Sequence, residues 1–89
     1  MKAVVTVIGN DKIGIIAKVC TALSDMEVNI LDITQTTMQG IFTMIALVDI
    51  SKCNTDFEAL SRKLEETGRE LGMEINVRHE DIFNSMHKI

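Results

Sequence analysis

The chain lacks proline, tryptophan and tyrosine, and its aromatic rings are limited to three phenylalanines and two histidines. Without a Pro-rich, low-complexity or strongly charged segment there is no candidate linker, so the 89 residues predict one domain with one core. An RNA-recognition module needs aromatic side chains on its central strands, and only Phe42 is available. A net charge of -4 likewise argues against a nucleic-acid partner.

Cysteines and long apolar runs are also scarce. Cys20 and Cys53 stand 33 positions apart, which matches neither a metal-binding nor a redox spacing and excludes the C-x-x-C of a copper chaperone. No apolar run approaches the roughly 18 residues that span a membrane. Strand-like sequence begins by Ala3, which leaves no room for a signal peptide. We therefore expect a cytoplasmic protein with reduced thiols and no membrane partner.

Hydrophobic periodicity predicts an α+β chain with the order β-α-β-β-α-β. The first helix repeats apolar residues at three- and four-residue steps, and the strands contain short apolar runs. Gln39-Gly40 is a candidate two-residue hairpin turn. Thr55 and Glu58 fit a capping box at the second helix, and Gly72 fits its end. The predicted strands cover residues 2–8, 28–38, 41–50 and 73–79, and the predicted helices cover 12–26 and about 55–71.

The strand patterns predict how the sheet is arranged. Right-handed crossovers favour a four-stranded antiparallel sheet of order 4-1-3-2 with both helices on one face. The third strand is apolar on both sides and should be central, whereas the fourth alternates cleanly and suits an edge. In the second strand the apolar phase shifts between Ile30 and Ile33, which indicates a bulge.

Two helices on one face of the sheet would leave Ile45 and Leu47 exposed on the opposite face. Contiguous exposed apolar surface usually marks an interface. We therefore expect a homo-oligomer, through sheet edges or through sheet faces. Residues 81–89 form an amphipathic tail that predicts a short C-terminal helix. Its stripe packs either on its own sheet or on a partner subunit, and the sequence leaves both open. The stripe consists of Ile82, Phe83, Met86 and Ile89.

The segment 9–17 follows a strand and opens a helix, and it contains two glycines. Helix N-termini carry N–H groups without an intrahelical partner, so they bind carboxylates and other anions. Asp11 is predicted as the N-cap of this helix, a position that also allows ligand contact. Asn10 could be an ordinary turn residue, and Gly14 could serve only to let the helix pack closely on the sheet or on a second subunit.

Two short motifs resemble the ACT domain, a regulatory module that binds amino acids and related metabolites. Its D-R-P-G-like turn corresponds to Asp11-Lys12-Ile13-Gly14, and its G-V-N-I-like step to Glu27-Val28-Asn29-Ile30. The resemblance covers residues 1–80 and is typical of small stand-alone proteins of the UPF0237 kind. It implies a ferredoxin-like fold, dimer contacts along helix one and strand two, and side-chain contacts from Asp11 and Asn29 to an amino acid. The implied ligand-binding residues are Asn10, Asp11, Ile13, Gly14, Asn29 and Ile30.

One departure is Ile13, where the family often has proline. Other functions fit less well: an acylphosphatase-like enzyme needs an arginine in the first loop, which holds only Lys12. Ser24, Ser51 and Ser61 have no histidine base nearby in the sequence, so we expect neither catalysis nor a cofactor. A solvated strand end explains the polar residues His79, Glu80, Asp81 and His87 better than a metal site does. The alternative to ligand binding is a pure interaction module with an empty site.

Overall fold

The fold consists of one four-stranded sheet and two helices in the order β1-α1-β2-β3-α2-β4. The computed structural model describes residues 1–10 and 13–80. The elements are β1 (Lys2–Asn10), α1 (Ile15–Asp25), β2 (Asn29–Met38), β3 (Ile41–Asp49), α2 (Phe57–Leu71) and β4 (Met73–His79). All neighbouring strands are antiparallel and the order is β2-β3-β1-β4, which confirms the predicted 4-1-3-2 arrangement. The predicted C-terminal helix lies outside the described residues.

Both helices pack on the same face of the sheet. Alternate residues of the two central strands are almost completely buried there, and together with apolar side chains of the helices they form one cluster. The helices contribute a stripe at three- and four-residue spacing, as an amphipathic helix on a core does. The buried positions of the central strands are Ala3, Val5, Val7, Phe42, Met44, Ala46 and Val48, and the largest helix contributions are Ile15, Val19, Leu23, Leu60 and Leu64.

Local signals in β2 and β3 appear where the sequence predicted them. Gln39 and Gly40 both have positive φ, 52° and 81°, and they join Met38 to its partner Ile41 in a two-residue hairpin. The register of β2 shifts at Leu31, which lies between two paired residues and forms the predicted bulge.

The ends of α2 agree with the prediction at one end only. Gly72 ends the helix in the left-handed conformation with φ 70°, as expected for a glycine C-cap. At the other end the N-cap is Asp56, whose Oδ1 accepts a hydrogen bond from the Ala59 backbone N–H at 2.8 Å. The Thr55–Glu58 capping box was therefore wrong. Aspartate competes well for this position because it accepts the same hydrogen bond with a full negative charge at the positive end of the helix.

Candidate functional site

The turn between β1 and α1 ends in a helix start without a side-chain cap. Gly14 is the N-cap, with φ 85° and ψ 6°, and no side chain of the described residues caps the helix there. The first turn also contains no acidic residue. Helix α1 begins at Ile15 rather than at Lys12, and the prediction that Asp11 caps it was wrong. The positive end of α1 is therefore left uncompensated by its own first turn.

Within its own chain, Gly14 is required for its backbone conformation and not for close packing. A Cβ atom built on Gly14 meets no atom within 4 Å, so the space around it is open. The positive φ is the reason for glycine, because other L-residues adopt it only with strain. The neighbouring Ile13 is fully exposed, and Asn10 is exposed at the end of β1. These three predicted site residues lie together on an accessible surface; Asp11 lies outside the described residues.

Asn29 and Ile30, the other two predicted ligand residues, lie at the opposite end of the sheet. Asn29 is paired with Asp49, which in turn is paired with Lys2 at the start of β1. Eight residue steps at about 3.3 Å separate Lys2 from Asn10, so Asn29 is roughly 26 Å from the turn. Within one chain the expectation that Asn29 adjoins the turn was therefore wrong. The reason is that α1 returns the chain to the beginning of β1 before β2 starts.

Strand β2 is an edge strand that neither helix covers well. Nine of its ten residues are exposed and Ile30 is half-buried. Its large apolar side chains are uncovered too: Met38 is 70% exposed, and Leu31 and Ile33 are about 40% exposed. The other edge, β4, buries alternate residues under α2. Because an edge strand offers a row of free N–H and C=O groups, β2 is the most accessible edge of this sheet for pairing with another chain.

The open face of the sheet is the side opposite both helices, formed by residues 2, 4, 6 and 8 of β1 and their partners. Of the predicted interface residues, Ile45 is 39% exposed on this face and Leu47 is half-buried. Ile8 and Ile41 add further exposed apolar surface. The other predicted interface residues, Ile82, Phe83 and Met86, lie outside the described residues.

Within the described residues, the remaining polar groups form no further centre. In the part of the chain that the structure describes, no three His, Cys, Asp or Glu side chains are grouped to hold a metal ion. The His79 ring stacks on Phe57 at a centroid distance of 4.1 Å. Cys20 and Cys53 are both free and half-buried. Among residues 1–10 and 13–80, no helix is long and apolar enough to cross a membrane.

Comparison with known proteins identifies the fold and the family. The model of the ACT domain matches residues 2–78. The chain belongs to the ACT domain family. A UPF0237 protein of Clostridium acetobutylicum is 51% identical over 89 residues, with 100% of both chains covered. The structure of an ACT domain protein from Streptococcus pneumoniae superposes with a TM-score of 0.83 at 40% identity, over 98% of each chain.

A more distant ACT relative has a regulatory role stated in its name. The regulatory subunit of aspartate kinase from Thermus thermophilus has a TM-score of 0.66 and 27% identity, over 86% of this chain and 50% of that one. ACT domains are regulatory ligand-binding modules, generally without catalysis of their own. The predicted strand order placed strand two at an edge, but its exposure on both faces was not predicted, although the run Thr34-Gln35-Thr36-Thr37 has no apolar alternation and is typical of a strand uncovered on both sides.

Proposed function

We propose that this ACT domain binds an amino acid where α1 begins and that the bound ligand regulates its own assembly or the activity of a partner protein. The observation that carries the proposal is the exposed start of α1 at Gly14, which no described side chain caps and where the space around a Cβ position is open. A carboxylate placed there accepts hydrogen bonds from backbone N–H groups that have no partner within the helix. Charge-assisted hydrogen bonds of this kind contribute about 1.5–3 kcal/mol each.

The ammonium group of an amino acid needs an acceptor close to the carboxylate site. Asp11 is the only acidic residue of segment 9–17, and Asn10 offers an amide oxygen beside it. In the ACT family the residue that matches Asn29 also contacts the ligand, yet Asn29 is at the far end of its own sheet. A site that includes both residues therefore needs two chains.

We propose a two-fold dimer in which β2 of each chain pairs with β2 of the other in antiparallel fashion. Such an edge contact extends the sheet, and it satisfies the exposed backbone groups of both copies. Antiparallel pairing centred on β2 brings Asn29 of the partner subunit beside Met38. That end of the sheet also holds Asn10 and Gly14, because Met38 pairs with Ile41 and Ile41 with Asn10. Each ligand would then lie between two subunits, so that binding and assembly are coupled.

The test is a thermal-shift and calorimetry scan against each of the twenty amino acids, with sedimentation measured with and without any that bind. We expect at least one amino acid to raise the melting temperature and to strengthen a dimer. Asp11→Asn keeps the size of the side chain but removes its charge, and it should weaken binding about tenfold or more. A stable monomer at micromolar concentration would refute the assembly.

Mixing two variants tests whether a site is shared between chains. Asp11→Asn and Asn29→Ala should each bind weakly alone, because every site in those dimers lacks one contact. After the two proteins exchange subunits, about half of the dimers are mixed, and each mixed dimer has one complete site. About a quarter of all sites should then bind with the original affinity. Unchanged affinity in both single variants would place the ligand elsewhere.

The second candidate is a pure interaction module with an empty ligand site. It is favoured by the exposed β2 edge and the open face, which would support assembly whether or not the turn binds anything. A dimer that responds to none of the twenty amino acids, and that a charged replacement at Met38 separates, would favour this function. Both candidates are compatible with the two free thiols of a reducing cytoplasm, the location that we propose.

A further inference from the structure

The open face is not uniformly exposed, and the difference indicates a cover at one end. Val4 and Ile8 lie on the same face of β1, with no helix on that side, yet Val4 is 5% exposed and Ile8 is 44% exposed. The cross-strand neighbours of Val4 are Leu47 and Arg78, and those of Ile8 are the shorter Thr43 and Glu74. Leu47 is half-buried as well, although Ile45 on the same strand is 39% exposed.

The chain leaves the sheet at the covered end. Arg78 is paired with Val4 and His79 with Ala3, so the last residues of β4 lie beside Val4. Arg78 and His79 therefore lie within one strand spacing of the buried part of the open face, and residues 81–89 follow them closely in the sequence.

The composition and length of residues 81–89 fit that surface. Ile82, Phe83, Met86 and Ile89 recur at one-, three- and four-residue steps, which places them on one side of a helix. A helix of nine residues is about 14 Å long, which matches the width of four strands at about 4.8 Å spacing. We propose that residues 81–89 dock on the open face of their own chain, over Val4 and Leu47, and leave Ile8 and Ile41 uncovered.

This intramolecular docking has a consequence for assembly. It removes half of the open face from contact with other molecules and leaves the β2 edge and the Ile8–Ile41 end available. It thereby favours association through the edge of the sheet over stacking of whole sheet faces.

A matched pair of variants tests the docking. Ile82→Asp places a charge on the apolar stripe, and Asn84→Asp places the same charge in the same segment away from it. We expect Ile82→Asp to lower the melting temperature by roughly 5–10 °C and to raise the fluorescence of a hydrophobic dye several-fold. Asn84→Asp should change the melting temperature by less than about 2 °C. Equal effects of the two variants would overturn the proposal, and so would no effect of either.

A cross-linking experiment on the unmodified protein distinguishes the chain's own tail from that of a second copy. Lys2 lies on the open face, Lys88 belongs to the tail, and Lys63 is on α2, on the other side of the sheet. We mix unlabelled and ¹⁵N-labelled protein, allow subunits to exchange, and add an amine cross-linker of short span. Lys2–Lys88 links within one isotope only, without Lys63–Lys88 links, support the proposal. Links between isotopes assign the tail to a second copy, and absence of Lys2–Lys88 links refutes docking.

Discussion

Replacing Gly68 with alanine tests whether the close approach of α2 to β4 outweighs helix propensity. Gly68 is buried inside α2, and a Cβ atom there would lie 2.7 Å from the Met73 carbonyl oxygen and 3.0 Å from Cγ1 of Ile75. Alanine is the better helix former by about 1 kcal/mol, so propensity alone predicts a more stable protein. The packing predicts the opposite, because the nearest atom belongs to the backbone and cannot rotate away.

The size of the effect follows from the two opposing contributions. Extra volume in a well-packed core costs typically 1–3 kcal/mol, and a backbone contact places Gly68→Ala near the upper end of that range. After the propensity gain of about 1 kcal/mol is subtracted, we expect the free energy of unfolding to fall by about 1–2 kcal/mol. For a domain of this size that lowers the melting temperature by roughly 4–16 °C.

The assay is urea unfolding followed by circular dichroism, at one protein concentration because assembly contributes to apparent stability. Glu66 is exposed on the same helix, so Glu66→Ala compared with Glu66→Gly measures the propensity difference without packing. A second comparison is Gly9→Ala, where the nearest atom is the flexible Met73 sulfur at 2.5 Å and the cost should be smaller. The reasoning would be refuted if Gly68→Ala raised the free energy of unfolding, relative to the original protein, by as much as Glu66→Ala exceeds Glu66→Gly.

Three further predictions concern the caps and one carboxylate. Asp56→Ala should lower the free energy of unfolding by about 1 kcal/mol in urea titrations. Asp56→Asn should lower it much less, because asparagine also caps helices well. Gly14→Ala should lower the free energy of unfolding by about 1–2 kcal/mol through backbone strain, and Gly14→Asn should lower it less. Equal losses of the two variants in urea titrations would contradict this. Hydrogen bonds from Ser51 lower the pKa of Asp49 from 3.8, so its stabilisation is complete above that pH and is lost as pH falls below it. The stability difference between the original protein and Asp49→Asn should therefore shrink on acidification in urea titrations between pH 6 and 3, and a constant difference would contradict it.

The sequence by itself determined the elements, their order and the arrangement of the sheet. A strand apolar on both faces belongs in the centre of a sheet, which placed β3 correctly because burial on two sides requires two apolar faces. Gly40 specified its hairpin and Gly72 its helix end, because tolerance of positive φ is a property of glycine itself. These signals are local, so they predict structure without knowledge of the tertiary contacts.

The tertiary structure decided where the two halves of the predicted ligand site lie in the sheet. The two motifs that contain Gly14 and Asn29 are close in sequence, yet the helix between them spans the sheet and leaves them at opposite ends. Which residue caps a helix depends on competition among neighbours, and Gly14 and Asp56 hold positions that the sequence assigned to Asp11 and Thr55. The exposure of β2 is likewise tertiary, because it depends on how far two helices extend over four strands. The polar run 34–37 agrees with an uncovered strand, but the exposure of the apolar side chains Leu31, Ile33 and Met38 is decided by packing.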